Sequence, residues 1–295
     1  MKMKIRRRLN FGFALLMIAL MVIVVGCGTA APQTTETPKP ANPSVILATT
    51  TSTQDSGLLE VLIPAFEKKT GYKVKAIAVG TGAALATGEK GNADVLLVHA
   101  FTSEKKLVDN KTAINYQLVM HNDFVIVGPS SDPAKVKGTK TAVAALIAIA
   151  ASPSIFVSRG DDSGTDKMEK ALWTKAKVKP VEAKYQSTGQ GMAQTLTIAS
   201  EKEAYTMTDR ATYLSTKKNL KLDILLQGET ALLNIYHVMQ VNPEKFPNVN
   251  AAGAKAFVDF MIDGETQKLI GSFGKEKYGQ ALFFPDAGKK MEDIK

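Results

Sequence analysis

Cysteine is nearly absent: Cys27 is the only one in 295 residues. An intrachain disulfide and a cysteine-based metal cluster are thereby excluded. Histidine is scarce as well. His99, His121 and His237 stand far apart, with no metal-ligand spacing, so each is read as structural and no metal cation is expected. There is no Gly-x-x-x-x-Gly-Lys-Ser/Thr phosphate loop and no His-Glu-x-x-His helix, which removes two common catalytic frameworks. Aromatic residues make up 7% of the chain, and no basic stripe interleaved with aromatics occurs beyond the N-terminal segment. Nucleic acid is therefore not an expected partner.

What the sequence does have begins with an address. Lys2, Lys4, Arg6, Arg7 and Arg8 precede a 15-residue apolar run, Phe11 to Val25. That run is too short for a comfortable membrane span and reads as a secretory signal. Val24-Val25-Gly26-Cys27 resembles a bacterial lipobox, in which the cysteine becomes the lipidated first residue. The prediction is a signal peptide over 1–26 and a lipid-anchored tether over 27–43. The tether is rich in Thr, Pro and Ala and cannot build a core. Subtracting the five signal charges takes the formal net charge from +9 to +4. About 250 residues remain, enough for one large or two medium lobes.

The folded part is organised around Thr49-Thr50-Thr51-Ser52-Thr53-Gln54-Asp55-Ser56-Gly57. An apolar strand-like run, Val45 to Ala48, precedes it, and Leu58, Leu59, Leu62, Ile63 and Phe66 follow at helical spacing. A hydroxyl-rich turn where a strand hands over to a helix offers unpaired amides and O–H donors, which is how an anion site is built with few charges. The plainer reading is a capping box of Ser52 with Asp55.

The pattern then alternates. Tyr72 to Val79 reads as a strand, Gly80-Thr81-Gly82 opens a helix, and Val95 to Val98 is a buried strand. Thr102 to Val108 reads as a helix and Phe124 to Val127 as a strand ended by Gly128-Pro129. Pro64 is expected to kink the first helix. Later, Ile155 to Val157 leads into a second polar turn, Ser158 to Asp166, and a helix through Leu172 and Trp173. Helices over Gly189 to Ser200 and Asn250 to Phe273 and strands around Ile224 to Leu226 and Tyr236 to Val241 complete the reading. Strands alternating with helices imply an α/β fold with a parallel sheet.

Several stretches together resemble the tungstate-binding lipoproteins of ABC importers: Thr49 to Leu59, Gly91 to Ala100, Asn122 to Pro129, Ser158 to Thr165, Thr208-Asp209-Arg210, Val241-Asn242-Pro243, and Gln267 to Ile270 with Pro285-Asp286-Ala287. The resemblance covers the whole chain after the tether. It implies the type II two-lobed fold of periplasmic-type solute-binding proteins, each lobe a mostly parallel sheet flanked by helices. Lobe one is expected over 44–127 plus 236–295 and lobe two over 128–235, with the chain crossing near Gly128. The resemblance places Thr50, Thr51 and Ser52 on one side of a ligand cleft and Arg159, Ser163, Gly164 and Thr165 on the other. Thr81, between two glycines, joins them as a source of backbone donors. Two positions depart from the family pattern: Asp166 follows the Ser-Gly-Thr turn, and Ile235 stands where Pro usually follows Leu-Leu-Asn.

The function this implies is capture of a tetrahedral oxyanion, tungstate or else molybdate or phosphate, for delivery to an ABC permease and its ATPase. No cofactor and no catalysis are expected, the membrane is met through lipid on Cys27, and the protein acts as a monomer. Arg159 supplies a donor fork that cannot lose its charge; its structural alternative is an ion pair with Asp161 or Asp162. A fully deprotonated oxyanion wants donors only, whereas protonated phosphate wants an acceptor. The directions of Asp55, Asp161, Asp162 and Asp209 thus bear on selectivity. Arg210 either reaches the cleft or pairs Asp209, the structural role being favoured, and Trp173 and Tyr205 are read as core. Two other classes remain: an exported hydrolase with Ser163 as nucleophile, which lacks a Gly-x-Ser-x-Gly elbow, and a lipid-anchored adhesin without ligand.

Overall fold

The computed structural model describes residues 40–178 and 181–294. The expected signal peptide, Cys27 and the tether up to residue 39 lie outside the described residues. In chain order the regular elements are β1 (Ser44–Thr50), α1 (Thr51–Asp55), α2 (Leu59–Thr70), β2 (Lys73–Val79), α3 (Thr81–Glu89), β3 (Val95–Val98), α4 (Phe101–Asp109) and β4 (Ala113–Pro129). Then come α5 (Ala142–Ala151), β5 (Phe156–Ser158), α6 (Gly164–Ala176), β6 (Tyr185–Ser187), α7 (Met192–Glu201), β7 (Thr206–Asp209), α8 (Arg210–Thr216) and β8 (Leu222–Leu226). The chain closes with β9 (Leu233–Val241), α9 (Ala251–Ile262), α10 (Gly264–Ser272), α11 (Lys275–Tyr278) and β10 (Phe284–Pro285).

The first sheet runs β10-β4-β9-β3-β1-β2. Alternate residues of its central strands enter different cores, as a strand buried on both faces requires. Val45, Leu47, Val95 and Leu97 pack with Phe66 of α2 and Phe257 of α9. Ala48, Leu96 and Val98 pack on the opposite face with Ala84 and Leu85 of α3. The far end of β4 repeats the arrangement. Phe124 and Ile126 join Leu146 of α5 and Trp173 of α6, while Val125 and Val127 join Met192 and Leu196 of α7.

Strand β4 is what links these regions. Ala113 to Asp123 pairs antiparallel with β9, and Phe124 to Pro129 pairs antiparallel with β7 and β8. The change of partners falls between Asp123 and Phe124, before the crossing expected near Gly128. The α/β class stands, but strand direction is more mixed than a mostly parallel sheet. Pairs β1–β2, β1–β3 and β5–β6 are parallel; β3–β9, β4–β9, β4–β7, β4–β8 and β4–β10 are antiparallel. The reason is topological. β4 leads from one region to the other and β9 leads back, so the two run in opposite directions and impose antiparallel pairing on their neighbours. The Ala113 to Asp123 half of β4 is not evident in the sequence, because Asn115, Tyr116 and Gln117 interrupt its apolar pattern. Helix α2 continues through the exposed Pro64.

Candidate functional site

The hydroxyl turn leaves β1 directly. Thr49 Oγ1 donates to the Leu97 carbonyl at 2.7 Å, tying the turn to β3. Thr50 is the N-cap of α1, and its hydroxyl accepts the Thr53 amide at 3.3 Å. Polar caps satisfy amides that the first turn leaves free. Thr50 Oγ1 also lies 2.7 Å from Thr53 Oγ1 and 3.2 Å from Ser52 Oγ. Thr50 and Ser52 are almost fully buried.

The second turn, between β5 and α6, comes to meet it. Arg159, only 2% exposed, donates through Nη2 to Thr51 Oγ1 at 3.0 Å and to Asp161 Oδ2 at 2.6 Å. The ion pair weighed for this side chain is thus present, to Asp161 and not to Asp162. Asp161 is oriented in turn by the Ser163 amide, 3.2 Å from its Oδ1. Ser163 caps α6, its hydroxyl accepting the Asp166 amide at 3.2 Å. Thr81, at the start of α3, is buried and joins the same network. Its hydroxyl accepts the Gly164 amide at 2.9 Å, and the neighbouring Gly82 amide donates to the Asp162 carbonyl at 3.3 Å. The hydroxyl of Thr81, rather than the backbone donors expected of it, makes the link to α6. All eight nominated residues, Thr50, Thr51, Ser52, Thr81, Arg159, Ser163, Gly164 and Thr165, thus fall in one connected region.

Two donors in that region are spare. Arg159 Nε and Thr165 Oγ1 are buried and have no hydrogen-bond partner. A buried donor without a partner costs roughly 1–3 kcal/mol, so such atoms mark a place built for a further acceptor. The carboxylates nearby are mostly committed elsewhere. Asp162 is exposed and paired with Lys167. Asp55 reaches the Ala193 amide at 3.4 Å. Asp166, the departure from the family pattern, turns Oδ2 back to the Asp162 amide at 3.2 Å and to Lys170 Nζ at 2.7 Å, while its buried Oδ1 has no partner. It does not return to the Ser163 amide, so Ser163 and Asp166 make only half of a capping box. Asp209 caps α8 through Oδ1 to the Thr212 amide at 2.8 Å, while its Oδ2 has no partner. Burial pushes Asp209 up to about 6.

Two readings need correction. Arg210 pairs not with Asp209 but with Asp123, Nε to Oδ1 at 2.7 Å and Nη2 to Oδ2 at 2.5 Å, bracing the point where β4 changes partners. His99 is not remote from the site. Its Nε2 lies 3.1 Å from Thr50 Oγ1 and 3.3 Å from Ser52 Oγ. Burial, with the Arg159 charge adding to it, lowers its pKa to about 4. The signal was present in the sequence, since His99 directly follows a buried strand parallel to β1. His121 and His237 do pair with carboxylates, Asp286 at 2.6 Å and Glu104 at 2.9 Å.

The PBP superfamily domain matches residues 34–265. The tungstate-binding protein TupA of Peptoclostridium acidaminophilum is 50% identical over 251 residues, which cover 84% of this chain and 88% of that relative. The crystal structure of the tungstate ABC transporter from Geobacter sulfurreducens aligns with a TM-score of 0.73 at 48% identity, covering 78% of this chain and 98% of that one. The tungstate-binding protein TupA from Desulfovibrio alaskensis G20 aligns with a TM-score of 0.70, also at 48% identity, covering 83% of this chain and 99% of its own. This chain belongs to the PBP superfamily and, within it, to the family of these TupA proteins.

Proposed function

We propose that this chain is an extracytoplasmic solute-binding protein that captures a tetrahedral oxyanion, tungstate, and presents it to an ABC importer. The observation that carries this reading is the convergence of the Thr50–Ser52 turn, Thr81 and the Arg159–Thr165 turn around two spare buried donors, Arg159 Nε and Thr165 Oγ1. A deprotonated dianion uses donors of this kind without needing an acceptor in return, and hydrogen bonds to a charged group contribute about 1.5–3 kcal/mol each. The same arrangement would admit molybdate, whose charge and shape are alike. Phosphate, which keeps a proton at neutral pH, would need an acceptor; Asp161 is already engaged by Arg159 and the Ser163 amide.

The two lobes of this reading are 44–123 with 233–294 and 124–232, divided where β4 changes partners and where β9 begins. The cleft lies between them and the strands β4 and β9 form the hinge. The chain is exported, anchored through lipid on Cys27, meets the permease as a monomer and catalyses nothing. Ser163 Oγ serves as the cap of α6, which suits a binding role better than a nucleophilic one.

Thermal unfolding of the full-length protein tests the reading. Tungstate at about a hundred times Kd stabilises by about 2.7 kcal/mol, raising Tm by several degrees for a domain of this size. Stabilisation by tungstate and molybdate but not phosphate is expected. Stabilisation by phosphate alone would contradict it, and indifference to every oxyanion would return the adhesin reading.

A further inference from the structure

His99 stands where several parts of the site meet. Its Nε2 faces the hydroxyls of Thr50 and Ser52 at 3.1 and 3.3 Å. Its ring lies 4.6 Å from that of Tyr236. Its Cε1 lies so close to the start of α6 that a β-carbon on Gly164 would come within 2.6 Å of it. Its Nδ1 is buried without a partner at hydrogen-bond geometry, and so is Oδ1 of Asn234, which lines the same cavity. The amide nitrogen of Asn234 is already engaged, donating to Asn122 Oδ1 at 2.8 Å and to the Tyr236 hydroxyl at 3.1 Å. The remaining oxygen can only accept, and a proton on the likewise unpartnered Nδ1 is the donor it would take. An imidazole that spends its proton at Nδ1 presents a lone pair at Nε2.

We propose that His99, held from behind by Asn234, is the positioning residue of the oxyanion site and turns the Ser52 hydroxyl toward the ligand. The inference rests on the oxyanion reading above. A hydroxyl has one proton to give and two lone pairs to fill. Thr50 Oγ1 accepts the Thr53 amide and shares a 2.7 Å hydrogen bond with the Thr53 hydroxyl; with Thr53 as the donor of that bond, both lone pairs of Thr50 are filled. Its own proton then goes to His99 Nε2 at 3.1 Å in preference to Ser52 Oγ at 3.2 Å. Ser52 is thereby left without an acceptor on either neighbour, and its proton points into the cleft as a donor. Without the lone pair at Nε2, the Thr50 proton turns to Ser52 and the order of the hydroxyls is lost. The lowered pKa agrees with this, since burial keeps the ring to a single proton at neutral pH. The position beside Gly164 adds a second role: the ring that orders the donors of the first turn is also the surface on which the second turn lands.

The test combines imidazole 15N NMR of the full-length protein at neutral pH with calorimetric titration of tungstate into wild type, His99→Phe and His99→Gln. The expected spectrum shows Nδ1 protonated and Nε2 bare. His99→Phe, which keeps the ring and removes the lone pair, weakens tungstate binding roughly tenfold to a hundredfold, the worth of one hydrogen bond to a charged group. His99→Gln places an acceptor oxygen where Nε2 stood and returns affinity to within about threefold of wild type. A protonated Nε2 in the wild-type spectrum overturns the inference, whether or not the variants fold. A His99→Phe protein that binds as wild type does the same. Failure of the wild type itself to bind tungstate marks failure of the oxyanion reading, and this inference falls with it.

Discussion

Gly164→Ala is the most economical way to ask whether the two turns must meet for capture. A β-carbon at this position would lie 2.6 Å from His99 Cε1 and 2.7 Å from Nδ1. Unstrained carbon contacts lie near 3.5–4.0 Å, so one side must withdraw by about 1 Å. The ring has little room to do so, being buried between the hydroxyl turn and Tyr236. The start of α6 must retreat instead, stretching the 2.9 Å bond from the Gly164 amide to Thr81. Overpacking of this kind costs about 1–3 kcal/mol, and the cost falls on the arrangement in which α6 touches His99. Tungstate affinity should therefore drop about 5- to 150-fold. The four core clusters contain neither Gly164 nor His99, so ligand-free Tm should move by no more than about 2–4 °C. Calorimetric titration with a parallel melting curve reads both quantities. An alanine variant of full affinity would refute the reasoning, because it would mean that capture does not require the turns to close on each other at this point.

Other variants probe other parts of the account. Arg159→Gln removes the fixed charge and its donor fork; tungstate binding should weaken at least about 30-fold in calorimetry while the ligand-free chain still melts cooperatively. Asp166→Asn takes one negative charge from beside the second turn, loses the ion pair with the exposed Lys170 and keeps an oxygen for the Asp162 amide; affinity should rise by about two- to fivefold at low salt, and the gain should shrink as salt is added. Glu169, a buried residue of α6, accepts from Ser158, Trp173 and Tyr185 at 2.6, 3.0 and 2.7 Å, and burial raises its pKa from 4.5 to about 7. The folded chain thus holds a proton that the unfolded chain has lost. The stability this gives is complete below pH about 4.5 and disappears as pH rises through about 7, a change of about 3 kcal/mol. Denaturant titrations of Glu169→Gln and wild type at several pH values should show that slope in the wild type and a flatter one in the variant. Parallel slopes would mean that Glu169 is already ionised in the fold.

The first turn was legible because its signal is local. A strand, a run of hydroxyls and a helical spacing follow one another within about 20 residues, and each predicts its own backbone geometry. The second turn was legible for the same reason, and the family resemblance joined the two. What the sequence did not display depends on residues far apart in the chain. The Ala113 to Asp123 half of β4 is polar where it is half exposed, at Asn115 to Gln117, so no alternation marks it. The antiparallel direction of β9 follows from where β4 ends, which no local pattern encodes. Arg210 meets Asp123 across 87 residues, whereas adjacency in sequence suggests Asp209. His99 sits 49 residues from Thr50 and reaches it only because β3 lies beside β1.

Calorimetric titration of the full-length protein with tungstate, molybdate, sulfate and phosphate at neutral pH tests the central claim most directly. The account predicts tight one-to-one binding of tungstate, equal or weaker binding of molybdate, and no binding of phosphate, because Arg159 Nε and Thr165 Oγ1 are spare donors at the meeting of the two turns. Binding of phosphate in preference to tungstate would contradict it, and would mean that a carboxylate turns inward to accept the proton phosphate carries.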